Sequence, residues 1–164
     1  MADPRNDIDL QSADAGVAAR LDARVAAGTL SADPAQRAVA DSLDTLLDDI
    51  RAAQDRSLLS RLTRRKDSLQ GLYIHGGVGR GKTMLMDMFH DCLVARRYEG
   101  GQFRLHFHDF MVLAQDMIHA ARNAGHKDPV DTAAAQLAKR GRVMCFDEME
   151  VRDIADAMIL ARLF

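Results

Sequence analysis

The run Gly76-Gly77-Val78-Gly79-Arg80-Gly81-Lys82-Thr83 has the form G-x-x-x-x-G-K-[ST], and it narrows the folds open to this chain more than any other stretch. Such a loop binds anions when a strand feeds it and a helix leaves it, because the helix N-terminus then adds its partial positive charge beneath the ligand. The flanks suit that setting. Gly71 to His75 reads as a short buried strand, and from Lys82 onward apolar residues at Leu85, Met88, Phe89 and Cys92 read as one face of a helix. The glycines let backbone N–H groups turn inward as a cradle, Lys82 reaches the β- and γ-phosphates of a nucleoside triphosphate, and the Thr83 hydroxyl is placed for Mg²⁺. The candidate nucleotide-binding residues are therefore Gly76, Gly77, Val78, Gly79, Arg80, Gly81, Lys82, Thr83 and Met84. The plainer alternative is a glycine-rich turn at a strand end, which the strand and helix signals on either side argue against.

A second element bears on the chemistry. Val143-Met144-Cys145-Phe146-Asp147-Glu148 is an apolar strand ending in two carboxylates. Strands that end in acids are common, since acidic residues favour turns, so alone the match is weak. Joined to a phosphate-binding loop it reads as a Walker B element. Asp147 is then a candidate Mg²⁺ ligand beside Thr83, and Glu148 is a candidate base that orients and activates the attacking water, with Lys82 as its catalytic companion.

The rest of the chain alternates in a way that supports a parallel sheet. After a polar segment, residues 1–13, expected to be disordered, Val17, Leu21 and Val25 mark a short amphipathic helix ending near Gly28. Asp33-Pro34 supplies an N-cap and a first-turn proline for a longer helix with Val39, Leu43, Leu46, Leu47 and Ile50 on one face. Ser57 to Lys66 is basic and reads as an exposed connection or a frayed helix end. Beyond the loop, Phe103 to Phe107 reads as a strand, Asp109 as the cap of a helix carrying Phe110, Leu113, Met117 and Ala121, Asp128-Pro129 as the start of another, Arg142 to Phe146 as a strand, and Asp153 as the opening of a last helix. These predict an α/β fold, a three-layer parallel sheet of the P-loop NTPase kind preceded by a helical arm: residues 14–70 form the arm and basic linker, and residues 71–164 the core.

Several functions are disfavoured by the totals. With 22 Lys and Arg against 24 Asp and Glu, the formal charge of -2 gives no global electrostatic reason to expect a nucleic-acid or anionic-membrane partner. The two cysteines, Cys92 and Cys145, lack metal-ligand spacing and read as small buried hydrophobes in a reducing compartment. His106 and His108 would share a face if both lay on one strand, but a metal needs further ligands at suitable spacing, which favours packing or hydrogen bonding. An acidic N-terminus without an apolar signal core, and no apolar run long enough to span a bilayer, point to the cytoplasm.

The segments Gly71 to Asp87, His106-Phe107-His108-x-Phe110-Met111 and Cys145-Phe146-Asp147-Glu148-x-x-Val151-x-Asp153-Ile154-Ala155-Asp156-Ala157-Met158-Ile159-Leu160 together resemble the ZapE cell-division ATPases and their mitochondrial AFG-type relatives. The upstream Gly28-x-Leu30-x-x-Asp33-Pro34-x-Gln36 resembles that family's N-terminal segment, so the resemblance runs from about Ala27 to the last residue. It implies an AAA+-like ATPase with Mg-ATP as substrate, an extra strand inserted between the Walker A and Walker B strands, and Gln36 approaching the adenine. In bacteria it implies association with the division ring protein FtsZ near the inner membrane, with oligomer formation open to the full-length form.

Asp109 stands where the family usually has a basic residue, and Met149 where an aromatic usually follows the acid. Family members continue into a sensor strand, an arginine finger and a second sensor, so the resemblance implies that this is the N-terminal part of a longer protein, with a core incomplete at its C-terminus. The Gly71 and Arg142 strands are then expected either to flank an open slot or to collapse onto each other, and the fragment to hydrolyse ATP feebly. Two other functional classes stay open: an ATP-gated protein-binding module, and a helicase-loader-like DNA-associated ATPase whose only support is the Arg61 to Lys66 cluster.

Overall fold

A computed structural model describes residues 15–59, 69–151 and 153–163. The expected disorder of residues 1–13 and most of the basic Ser57 to Lys66 stretch lie outside them; residues 57–59 are the end of a helix. The chain forms two compact units, residues 1–98 and 99–164. The division falls after Tyr98, downstream of the arm–core boundary expected between residues 70 and 71, because the helix that follows the loop packs with the arm.

The first unit contains α1 (Val17–Ala26), α2 (Pro34–Leu59) and α3 (Lys82–Ala95). Ala40, Leu43, Leu47 and Ile50 are buried along one face of α2, where the spacing placed an apolar stripe. Asp33 starts this helix, its Oδ1 accepting the Ala35 N–H at 2.8 Å. In α1 the sequence offers no local cap, since Gly16 has no side chain. The acceptor comes from α2, where Asp44 takes the N–H groups of Val17 at 2.6 Å and Ala18 at 3.1 Å. A β-carbon on Gly16 would lie 2.4 Å from Asp44 Oδ1, so this approach needs glycine. Arg37 adds a surface tie from α2 to Asp22 of α1 at 2.6 Å, and Leu85, Met88, Phe89, Cys92 and Leu93 are the buried residues of α3.

The strand expected at Gly71 to His75 does not form. Residues 69–77 carry no regular structure and take no place in the sheet, and Leu72 and Tyr73 stay exposed at 44% and 66%. The physical reason is that extended backbone becomes a strand only when a neighbour takes up its N–H and C=O groups.

The second unit begins with β1 (Gln102–His106), followed by α4 (Phe107–Asn123), α5 (Pro129–Arg140), β2 (Val143–Asp147) and α6 (Ile154–Leu163). The strands pair in parallel, Gln102 opposite Val143 through His106 opposite Asp147. Side chains alternate along each strand, so Leu105, Met144 and Phe146 fall on one face, where they join Phe107, Phe110, Met111, Ala114 and Leu137 in a core closed by Ile159, Leu160 and Leu163 of α6. Residues of all three helices thus join one core against the same face of the two-stranded sheet. Phe110 is fully buried with its ring 4.5 Å from that of Phe146, and burial of such a ring is worth roughly 1.5–3 kcal/mol.

Three local expectations are corrected here. Phe107 leaves the strand to open α4, because its ring is needed in the core. His106 is the residue before the helix, which makes Asp109 a first-turn acid favoured by the helix dipole instead of the cap. His106 and His108 consequently sit on a strand and a helix and do not share a strand face. Asp128 does cap α5, accepting from Val130 and Asp131 N–H, and Asp153 caps α6 through the Asp156 N–H at 2.8 Å.

Candidate nucleotide-binding and hydrolytic site

The loop is shaped by left-handed backbone. Gly79 and Gly81 have φ of 76° and 82°, and Gly76 lies at 148°, conformations that any β-carbon would strain. Above Gly76 and Gly79 nothing stands within 4 Å of where a β-carbon would be, so the loop presents open backbone. Gly81 is the residue before α3 and has no side chain to cap it. The start of α3 thus lacks a side-chain cap from Gly81, the kind of helix start that favours an anion. Lys82 arches back over this surface, its Nζ donating to the carbonyls of Gly76 at 3.0 Å and Gly77 at 2.8 Å. A flexible ammonium held by two neutral carbonyls is placed to exchange them for phosphate oxygens, which bind it more strongly. Val78 is fully exposed at the tip. These features fit a phosphate chain.

Two arm residues hold the loop from behind. Gln36 Nε2 donates to the Arg80 carbonyl at 3.1 Å, and the Arg80 guanidinium lies 3.6 Å from Asp33 Oδ2. The same Gln36 nitrogen would be 3.0 Å from a β-carbon on Gly81, with the Met84 methyl 3.3 Å away. The start of α2 thus grips the turn that leads into α3, a role for Asp33 beyond its cap.

The carboxylates belong to the second unit. Asp147 closes β2, and Glu148 follows it with φ of 52°, an uncommon conformation for a residue with a side chain. Asp147 Oδ1 accepts the Glu148 N–H at 3.1 Å, while Oδ2 lies 3.2 Å from the Arg104 guanidinium of β1. The turn projects Glu148 away from the strand, leaving it exposed. Sequence reading overlooked Arg104. Its sequence trace is a lone cation in an alternating strand, and the register that brings it near Asp147 is set only by the fold. Among the described residues no group of three or more His, Cys, Asp or Glu side chains is arranged to hold a metal, so the acids alone do not build a metal centre. Asp147 and the Thr83 hydroxyl have the oxygen-donor chemistry that Mg²⁺ prefers when a triphosphate supplies most of its ligands.

A glycine loop with an arching lysine at a helix start, and a strand ending in two acids, are features expected of the P-loop NTPases, the class that includes the AFG1-like ATPases. The chain belongs to the AFG1-like ATPase family, whose model matches residues 16–164. Over 95 residues, 58% of this chain, it is 44% identical to the cell division protein ZapE of Escherichia coli K12, covering 24% of that protein. It is 42% identical over 104 residues to lactation elevated protein 1 homolog B of Danio rerio, covering 20% of it. The matches thus span about a quarter or less of these relatives' length. No solved structure matches the chain significantly.

Proposed function

We propose that this chain binds ATP on the Gly76–Met84 loop and that the whole protein hydrolyses it, using the energy to remodel a protein partner. The observation that carries this reading is Lys82 Nζ, held over the loop by the Gly76 and Gly77 carbonyls at the uncapped start of α3. In this reading the loop N–H groups and Lys82 would bind the β- and γ-phosphates, and the Thr83 hydroxyl and Asp147 would hold Mg²⁺, which would supply neutralisation of the triphosphate's charge. Glu148 orients a water and accepts its proton, a contribution of about 10² to 10⁴ in rate for a positioned base. The Glu148 turn supports this role, since a strained, exposed carboxylate beside a second acid is a common arrangement at functional sites.

The similarity to a protein named for cell division supports a role in bacterial division; the family resemblance read in the sequence adds FtsZ as the proposed partner, in the cytoplasm near the inner membrane. No helix among the described residues is long and apolar enough to cross a membrane.

The test is a titration of the purified protein with a fluorescent ATP analogue. Lys82→Ala is expected to weaken binding by at least an order of magnitude, because it removes the charge facing the phosphates. Equal affinity in parent and variant would refute the assignment. Glu148→Gln is expected to retain ATP while turnover falls by about 10² or more. Turnover at the parent rate would remove Glu148 from catalysis.

A further inference from the structure

Arg104 occupies a position that the ATPase reading leaves unexplained. In the parallel register Arg104 stands opposite Cys145, and His106 opposite Asp147. Paired residues in a parallel ladder project to the same face, and every second residue repeats it. Arg104 and Asp147 therefore share the sheet face opposite Phe146 and the unit's core. Their side chains are 35% and 17% exposed, so the pair is partly withdrawn from water. A guanidinium nitrogen stands 3.2 Å from Asp147 Oδ2, and the second carboxylate oxygen is engaged by the Glu148 N–H.

We propose that Arg104 is a positioning residue that competes with a divalent cation for the Asp147 carboxylate, setting how strongly metal and nucleotide binding are coupled. This rests on the reading of Asp147 as a metal-side ligand. A guanidinium on Oδ2 fixes the carboxylate rotamer and neutralises its charge. A divalent cation drawn to the same carboxylate meets a full positive charge at close range, in surroundings less screening than bulk water. Arg104 must then swing aside or share the carboxylate at an electrostatic cost. Its partial exposure leaves it room to swing outward. Occupation by Arg104 keeps Asp147 aligned; departure of Arg104 accompanies metal loading.

The experiment compares the affinity of the full-length protein for a fluorescent, non-hydrolysable ATP analogue in Mn²⁺ and in EDTA. The ratio of the two affinities is the metal coupling. Arg104→Gln is expected to raise that ratio about five-fold or more, in the range usual for coupled sites, with the EDTA affinity near that of the parent. Arg104→Lys retains the positive charge that opposes the cation and is expected to keep the ratio within about two-fold of the parent. Arg104→Met preserves the apolar stem and repeats the test should the Gln variant fold poorly. A ratio that is unchanged or lower in the neutral variants would overturn the proposal, as would a Lys variant behaving like Gln. A parent protein that binds no analogue in either condition would overturn the nucleotide reading and this inference with it, whereas normal parent binding with a flat ratio overturns this inference alone. A purely architectural Arg104 would move the unfolding midpoint and leave the ratio untouched.

Discussion

Asp44 on α2 supplies the cap that Val17 on α1 lacks, its Oδ1 accepting the Val17 N–H at 2.6 Å across 27 positions of sequence. One carboxylate thereby fixes where α1 starts and how it lies along α2. Asp44→Ala is expected to destabilise the first unit by about 1–2 kcal/mol, the upper part of the range for a lost N-cap because two N–H groups lose their acceptor. A chemical-denaturation midpoint reads this. Gly16→Ala should act in the same direction, since its β-carbon would collide with the same oxygen.

Gln36 and the Arg80 carbonyl form the contact by which α2 steadies the phosphate loop. Gln36→Ala is expected to weaken ATP-analogue binding by an amount equivalent to roughly 0.5–1.5 kcal/mol, one hydrogen bond's net worth, with little change in unfolding midpoint because the bond is exposed. Isothermal titration separates the two effects. Affinity equal to the parent would mean the loop holds its shape unaided.

Glu148 carries backbone strain that a glycine would not. At φ of 52° a side chain costs on the order of 1–2 kcal/mol, and part of the relief on Glu148→Gly is offset by the greater freedom of glycine in the unfolded chain. The variant is expected to unfold no earlier than the parent, and up to about 1 kcal/mol later, while losing turnover. A calorimetric scan beside a phosphate-release assay tests both halves; clear destabilisation would contradict the strain argument.

The Asp131 N–H foremost, with the Arg162 guanidinium and the Val130 N–H, holds the Asp128 carboxyl below its ordinary value. A depressed carboxyl stabilises the fold above the unfolded-state value, about pH 4, and that contribution fades as pH falls through the lower folded-state value. Asp128→Asn should therefore lower the unfolding midpoint near neutrality and flatten its acid-side decline. Parallel acid-side curves for parent and variant would show that another group governs the slope.

Burial pushes the Cys92 thiol above its usual range, outweighing the opposing pull of Arg20 and Arg96. With less thiolate and no solvent path, Cys92 is expected to react with iodoacetamide near neutral pH far more slowly in the folded protein than in denaturant. The favoured neutral form contributes stability below the unfolded-state value, and that contribution is lost as pH rises through the raised one. Mass spectrometry of alkylated peptides reads the protection.

The helices were the most legible part of the chain. Their apolar spacing and the cap at Asp33 are local chemistry, and the helices expected to start at Asp128 and Asp153 do start there, whereas the cap expected at Asp109 falls on the first turn instead. Strands β1 and β2 were each legible to within a residue at either end, though not their pairing. What escaped was non-local. Nothing near Gly16 announces that Asp44 will cap α1, and nothing in Gly71 to His75 tells whether a neighbouring strand will take up its backbone groups. Alternation continues through Phe107 and so gives it a strand signal, yet the core claims its ring as the first residue of α4. In the candidate site, the loop and both acids were visible as motifs. Arg104 was not, because its relation to Asp147 exists only once the register is set.

That register has a consequence for the order in which the second unit is assembled. Arg104 and Asp147 are 43 positions apart, and a parallel ladder between them can close only after α4 and α5 have drawn the ends together, since loop-closure entropy is met before the pairing rewards it. The helices, built from near-neighbour contacts, are expected to form before the β1–β2 ladder, an order that pulsed hydrogen exchange during refolding reads. Asp147 sits on its final rung, opposite His106. The carboxylate proposed above as a metal ligand is thus expected to be among the last groups to reach its place as the chain folds, and among the first to lose it when the ladder frays.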